Sequence, residues 1–193
     1  ISLLLIAQPD IGQTLLVVFC WATLIFTSGI NIYILFAIFF AGASLLAYLI
    51  IYVPKFDYIQ GRIFSFFNRE TGTHNFQSDK AIESITSGGF FGKGIGEGVL
   101  KNRVPEAHTD YIISVISEEF GVVAIMLILL LFLILIYMVF KKISFETNDK
   151  AKLILIGSIS LILMQATIHI GVNIRLFPTT GMTLPFLSYG GSS

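Results

Sequence analysis

The sequence predicts an all-α, polytopic membrane protein, and three observations carry that prediction. Apolar residues make up 55% of the 193 residues and Asp, Glu, Lys and Arg only 12%, about half the charged share of a soluble domain. Mean hydropathy is +0.85. Charge-free stretches recur at 11–54, 121–140 and 153–174, and crossing a hydrocarbon core of about 30 Å takes about 20 such residues. Backbone polar groups in lipid must be satisfied within the chain, which makes helices the natural spanning element. The composition excludes disorder, a secreted disulfide scaffold and almost any soluble enzyme. Twelve basic residues balance twelve acidic ones, so charge gives no footprint for nucleic acid. Cys20 stands alone and says nothing of redox compartment.

The elements follow in order. Ile1 to Ala7 reads as the tail of an earlier helix, broken by Gln8-Pro9-Asp10. The chain opens without an initiator Met and stops after Gly190-Gly191-Ser192-Ser193, so it reads as a piece of a longer protein, truncated at both ends. Spanning helices are expected at about 12–28 and 32–53, separated by a turn at Thr27-Ser28-Gly29-Ile30-Asn31, where Gly and Asn accept left-handed backbone. A third is expected at about 111–140 and a fourth at 153–174. The connection 141–152 is short and holds four lysines, which places it in the cytoplasm. Alternation then puts Gln8–Asp10, the stretch 54–109 and the stretch 175–193 outside. The large outer loop at 54–109 carries seven Lys and Arg of its own. Within it, Gln77 to Ile85 reads as a short amphipathic helix ending at Gly88-Gly89.

Five constellations could carry chemistry. In Pro105-Glu106-Ala107-His108-Thr109-Asp110, Asp110 stands where solvent gives way to lipid. On a continuous helix it would share a small, polar face with Ser114, Ser117 and Gly121. Its plainer role is an N-cap or first-turn acid stabilised by the helix dipole. Glu118-Glu119 lies about two turns deeper, as a cavity group or a buried structural pair. Gln165, His169 and Asn173 form a stripe at i, i+4, i+8. It joins helices by hydrogen bonds worth roughly 0.6–2 kcal/mol each or gives His169 a part in proton transfer. Gly88 to Gly98 holds six glycines and Lys93, a flexible loop or a close backbone approach to a ligand such as phosphate. Finally, Phe177 to Ser193, with two prolines and three glycines, forbids a regular helix yet is largely apolar. Irregular backbone of that kind must be covered by protein or line a cavity. Arg175 stands beside it, with Thr179 inside it.

Gln8-Pro9-Asp10-Ile11-Gly12, Pro105-Glu106-Ala107-His108-Thr109-Asp110, Glu118-Glu119-Phe120-Gly121 and Thr183-Leu184-Pro185-Phe186-Leu187-Ser188-Tyr189-Gly190-Gly191-Ser192-Ser193 together resemble the signatures of the SEDS family. These are bacterial shape, elongation, division and sporulation proteins, and the likeness leans to the FtsW branch rather than RodA or SpoVE. The resemblance covers nearly the whole chain, with the motifs in order. It implies a fold of about ten spanning helices, of which this chain would hold roughly the sixth to ninth. It implies a peptidoglycan glycosyltransferase that polymerises lipid II at the outer face of the inner membrane. The family's catalytic aspartate falls on Asp110. The implied partners are a class B penicillin-binding protein, which is a transpeptidase, and other divisome or elongasome membrane proteins. Two departures stand out: Gln13 where the family commonly has Thr, and Asn173-Ile174-Arg175 in place of a small, Gly-containing stretch.

On that reading Asp110 is a general base toward the acceptor sugar's hydroxyl, a role typically worth about 10²–10⁴-fold. Metal coordination is its alternative role. Lys93, Lys101, Arg103 and Arg175 are the cations for the leaving diphosphate. Glu106, His108, Ser114, Glu118, Gln165 and Thr179 are further substrate-binding residues. A divalent cation, Mg or Mn, is the one cofactor such chemistry would call for. Rival functions are a lipid II flippase and a non-catalytic scaffold that recruits the transpeptidase. The scaffold would use small-residue helix faces such as Gly42-Ala43-Ser44.

Overall fold

The computed structural model describes residues 11–67, 73–103 and 107–189. The expectations for Ile1–Asp10, Glu106 and Gly190–Ser193 lie outside the described residues. Every regular element among those described is helical: α1 (Ile11–Thr27), α2 (Ile32–Tyr52), a 3₁₀ turn (Pro54–Phe56), α3 (Asp57–Phe67), α4 (Thr73–Gly88), α5 (Leu100–Arg103), α6 (Ile112–Phe145) and α7 (Asp149–Asn173). Helices α2, α6 and α7 are long and apolar enough to cross a membrane, and α1 is a shorter apolar helix. The chain is a multi-pass membrane protein.

Local chemistry accounts for the helix ends. Gly29 takes φ +86 in the α1–α2 turn, and the Asn31 side chain caps α2 by accepting from the Tyr33 N–H at 3.0 Å. The four-lysine connection is almost wholly helical, since only Glu146-Thr147-Asn148 separates α6 from α7. There the Glu146 carboxylate accepts from the Thr147 and Asn148 amides, and Asn148 caps α7 through the Lys150 N–H at 3.0 Å. A three-residue link forces α6 and α7 to run antiparallel as neighbours. Helix α1 approaches α7 over Gly157, where an added Cβ would lie 3.3 Å from Leu24. Small residues of this kind let spanning helices approach closely.

The core sits at the end of the spanning helices that the stretch 54–109 covers. Leu16 of α1, Ala81 of α4, Leu100 of α5, Tyr111, Val115 of α6, Ile168 and Val172 of α7, and Met182 form one buried cluster. Towards the other end α6 presents Leu127, Leu130, Leu131 and Leu133, all exposed. None of the residues of α2 is buried. Apolar walls without a protein cover suit hydrocarbon surroundings, where burial against protein is no longer needed to remove them from water.

Two expectations are refined. The helix expected at Gln77–Ile85 is present and ends at Gly88 as expected, but it begins at Thr73, and the stretch 54–109 also builds α3 and α5. The third spanning helix is not continuous. Gly121 adopts φ 78, ψ −175 within α6, a backbone region open essentially to glycine alone. This separates an outer piece, 112–120, from an apolar piece beginning at Val122. The apolar run 121–140 alone covers about 30 Å at 1.5 Å per residue. The outer piece is thereby released to pack under α4.

Candidate functional site

The break in α6 is held by the glycine-rich segment. The Lys93 and Gly94 amides donate to the Glu118 and Glu119 carbonyls at 2.9 and 3.1 Å, and the Val122 and Val123 amides donate to the Gly89 and Phe90 carbonyls at 3.0 and 3.3 Å. The break therefore leaves these four pairs of backbone groups satisfied, as burial near lipid demands. The contact is too close for side chains: a Cβ on Gly88 would meet the Ser117 carbonyl at 2.0 Å, and one on Gly92 the Glu119 carbonyl at 2.1 Å. The glycines thus serve an approach to α6 itself. The Lys93 and Gly94 amides are thereby given to α6 rather than to a phosphate.

Glu118 lies at the same joint. Its carboxylate takes the Lys93 ammonium at 2.8 Å on one oxygen and the Leu100 amide at 3.0 Å on the other. The side chains are 3% and 35% exposed, respectively, so Lys93 spans from solvent to a buried partner. Of the two sequence readings for Glu118, this geometry is that of the structural pair. The test is a double-mutant cycle on melting temperature. Lys93→Met alone is expected to destabilise by about 1–3 kcal/mol, held below the cost of a fully buried pair by the exposure of Lys93. Lys93→Met combined with Glu118→Gln is expected to recover part of that loss. Additive losses would mean the two charges do not communicate.

Asp110 belongs to a second arrangement, above the joint. It lies in a turn at 107–110 rather than on the helix, and Tyr111 occupies the N-cap position of α6. The helical face shared with Ser114, Ser117 and Gly121 therefore does not include it. Nor is Asp110 the helix cap. What positions it is Asn173, fully buried at the end of α7. The Asn173 amide donates to the Asp110 backbone carbonyl at 3.0 Å, and its oxygen accepts from the Ser114 hydroxyl at 2.7 Å. One side chain thus ties the turn, the start of α6 and the end of α7 together.

The irregular segment after α7 packs against the same turn. The Ser188 hydroxyl donates to the Thr109 carbonyl at 2.8 Å and accepts from the Leu184 amide at 2.7 Å. The Tyr189 amide donates to the His108 carbonyl at 3.2 Å. The α7 stripe grips this segment. Gln165 donates to the Thr183 carbonyl at 3.0 Å, and His169 Nδ1 meets the Met182 carbonyl at 2.8 Å. These bonds bring Gly181, at φ +70, against the half-buried Asp110: an added Cβ there would lie 3.6 Å from Oδ2. From the α1 side, Gly12 admits Met182 and Thr180, which an added Cβ would meet at 2.7 and 3.3 Å. From α3, Arg62 donates to the Thr179 carbonyl at 3.0 Å.

Of the residues singled out from sequence, Ser114, Gln165 and Thr179 thus join the Asp110 arrangement. Lys93 and Glu118 join the α6 joint instead. Arg175, at φ 58, is paired with Asp79 of α4, so its charge is met by a carboxylate. His108 and Arg103 are exposed, and Lys101 lies on α5. Sequence reasoning missed Arg62 and gave no weight to Gly181. The only trace of Arg62 was its place as a cation in the outer stretch. Among the described residues no group of three His, Cys, Asp or Glu side chains is placed to hold a metal ion.

Residues 1–193 match the family described as cell cycle protein, FTSW_RODA_SPOVE. The chain is 38% identical over 192 residues to the probable peptidoglycan glycosyltransferase FtsW of Caulobacter vibrioides, covering 98% of this chain and 48% of that protein. It is 37% identical over 199 residues to the probable peptidoglycan glycosyltransferase FtsW of Francisella salina, covering 100% and 49%. For that of Enterococcus hirae the identity is 34% over 206 residues, covering 100% and 52%. A solved chain from "Structural coordination of polymerization and crosslinking by a peptidoglycan synthase complex" superposes with a TM-score of 0.77 at 27% identity, covering 98% of this chain and 52% of that one. The chain spans about half the length of the curated relatives it matches. Matched along its whole length, it belongs to the FtsW/RodA/SpoVE family and is similar in particular to its FtsW members.

Proposed function

We propose that this chain carries the site of a peptidoglycan glycosyltransferase that polymerises lipid II at the outer face of the bacterial inner membrane. The observation that carries the reading is the placing of Asp110: a half-buried carboxylate laid against Gly181 in a turn pinned by Asn173. Asp110 takes the proton of the acceptor's C4 hydroxyl as that oxygen attacks C1 of the donor sugar. One displacement inverts the anomeric centre, and the diphosphate leaves. Arg62, which donates to the Thr179 carbonyl of the same irregular segment, supplies a cation for that diphosphate. Lys101 and Arg103 lie on α5 and remain candidate cations, whereas Lys93 and Arg175 are held by Glu118 and Asp79. In the alternative role, coordination, Asp110 would be the protein carboxylate of a Mg bound together with the substrate diphosphate, which takes only one or two such ligands. Such an ion would neutralise charge on the leaving group.

The names of the relatives support this reading, as does the structural neighbour, a chain of a peptidoglycan synthase complex. A class B penicillin-binding protein is the proposed partner, with other division or elongation proteins of the same membrane. A flippase would need a polar path along the spanning helices. Gln165, His169 and Asn173 each hold a backbone carbonyl instead, which favours the enzyme. The test uses the full-length protein with its transpeptidase in proteoliposomes, given labelled lipid II. Glycan strands are the expected product. Movement of lipid II across the bilayer without strands would favour the flippase, and neither activity would favour the scaffold.

A further inference from the structure

His169 is fully buried and bonded on one nitrogen only. A carbonyl oxygen can only accept, so the 2.8 Å contact with Met182 requires the proton on Nδ1. That leaves Nε2 with a lone pair, and it has no hydrogen-bond partner among the described residues. Ser117 Oγ is in the same condition: fully buried, with a hydroxyl proton to give and no partner. Both lie on the facing, antiparallel helices α6 and α7, between two contacts. Above them is the bond from Ser114 to Asn173, and below them is the apolar cluster shared by Ile128 and Ala166. Ser117 is one turn from Ser114, and His169 is one turn from Asn173, which turns each towards the same side as the pair above. One helix layer therefore holds an unmet donor and an unmet acceptor. Unmet groups of this kind are costly when buried.

We infer that Ser117 and His169 share one buried water that locks His169 in the Nδ1–H tautomer, making His169 a positioning residue for Asp110. The inference rests on the glycosyltransferase reading for its effect on rate, and on geometry alone for the tautomer. The chain of contacts is short. The water donates to Nε2, Nδ1–H holds the Met182 carbonyl, and Met182 fixes the neighbouring Gly181 against the Asp110 carboxylate. Polar pockets with two or more partners are where buried water is found. In the other tautomer the imidazole would turn a lone pair towards the Met182 carbonyl, and the two acceptors would repel.

The experiment has a structural arm and a kinetic arm, both on the full-length protein. In the first, ¹⁵N-histidine spectra of the parent and of His169→Asn identify the ring lost on substitution. The expected ring has a protonated Nδ1 and a bare Nε2. A lost ring with a protonated Nε2, or with both nitrogens protonated, overturns the inference. Melting temperatures of Ser117→Ala, His169→Asn and the double variant are expected to be non-additive, and full additivity also overturns it. In the kinetic arm, Asn places an amide N–H as many bonds from the backbone as Nδ1, whereas Gln places it where Nε2 would be. His169→Asn is expected to keep glycan synthesis close to the parent rate. His169→Gln is expected to lose about 10- to 100-fold in kcat with KM little changed, the size of effect a small misplacement of reacting groups produces. Equal rates for the two variants, both folded by melting temperature, would defeat the positioning role. Absence of glycan synthesis in the parent would defeat the enzyme reading, while the spectra would still decide the tautomer.

Discussion

Asp110→Asn is expected to slow glycan synthesis from lipid II by about 10²–10⁴-fold, the usual worth of a general base. The protein should still fold and still copurify with its transpeptidase. The geometry makes the substitution a narrow one. Asn has the shape of Asp, so the space the side chain takes beside Gly181 is unchanged. The bond that positions the turn uses the backbone carbonyl of residue 110 and is blind to the side chain. What is removed is the carboxylate's negative charge and with it the ability to accept a proton. The measurement is strand synthesis by the purified complex at saturating lipid II, with melting temperature and copurification as controls. Near-parental synthesis by the variant would reject Asp110 as the base. Divalent-ion dependence that disappears in the variant would assign it to coordination instead.

Gly121→Ala is expected to be the most damaging substitution outside the site, lowering stability by about 3 kcal/mol or more. Two independent costs coincide there. The backbone holds φ 78, ψ −175, a region that excludes a Cβ. The added methyl would also lie 2.2 Å from the Phe90 carbonyl, and that carbonyl is the acceptor for Val123. Relief would require withdrawing the glycine-rich segment, which would unsatisfy the amides of 122 and 123 and pull Lys93 from Glu118. Gly42→Ala on α2 is the matched control, since nothing lies within 4 Å of its added Cβ. It is expected to leave melting temperature nearly unchanged, or to raise it slightly through helix propensity. Equal melting temperatures for the two variants would show that the break in α6 is not held as described.

The contrast between these residues shows how far the chain could be read in advance. Asp110 was visible because an acid at the edge of an apolar run is costly and therefore selective. The Gln165–His169–Asn173 stripe was visible because its period matches a helix. Its targets were not, since the three side chains reach out of α7 to Thr183, Met182 and Asp110. The break at Gly121 was hidden by the apolar residues that follow it, which continue a helical pattern without interruption. Arg62 was hidden because its partner, the Thr179 carbonyl, lies 117 residues away. A backbone carbonyl leaves no mark in a sequence.

What the sequence by itself determined was the class of solvent and the identity of the long helices. The transfer of apolar residues from water is summed residue by residue along a local run, with no need of a partner elsewhere. What only the tertiary structure decided was which polar groups meet. Lys93 could face a substrate or Glu118, Arg175 a diphosphate or Asp79, and Asn173 a neighbouring helix or the turn that carries Asp110. Hydrogen bonds and ion pairs are short-ranged and directional. Their pairing is settled only when segments distant in the chain are closed onto one another.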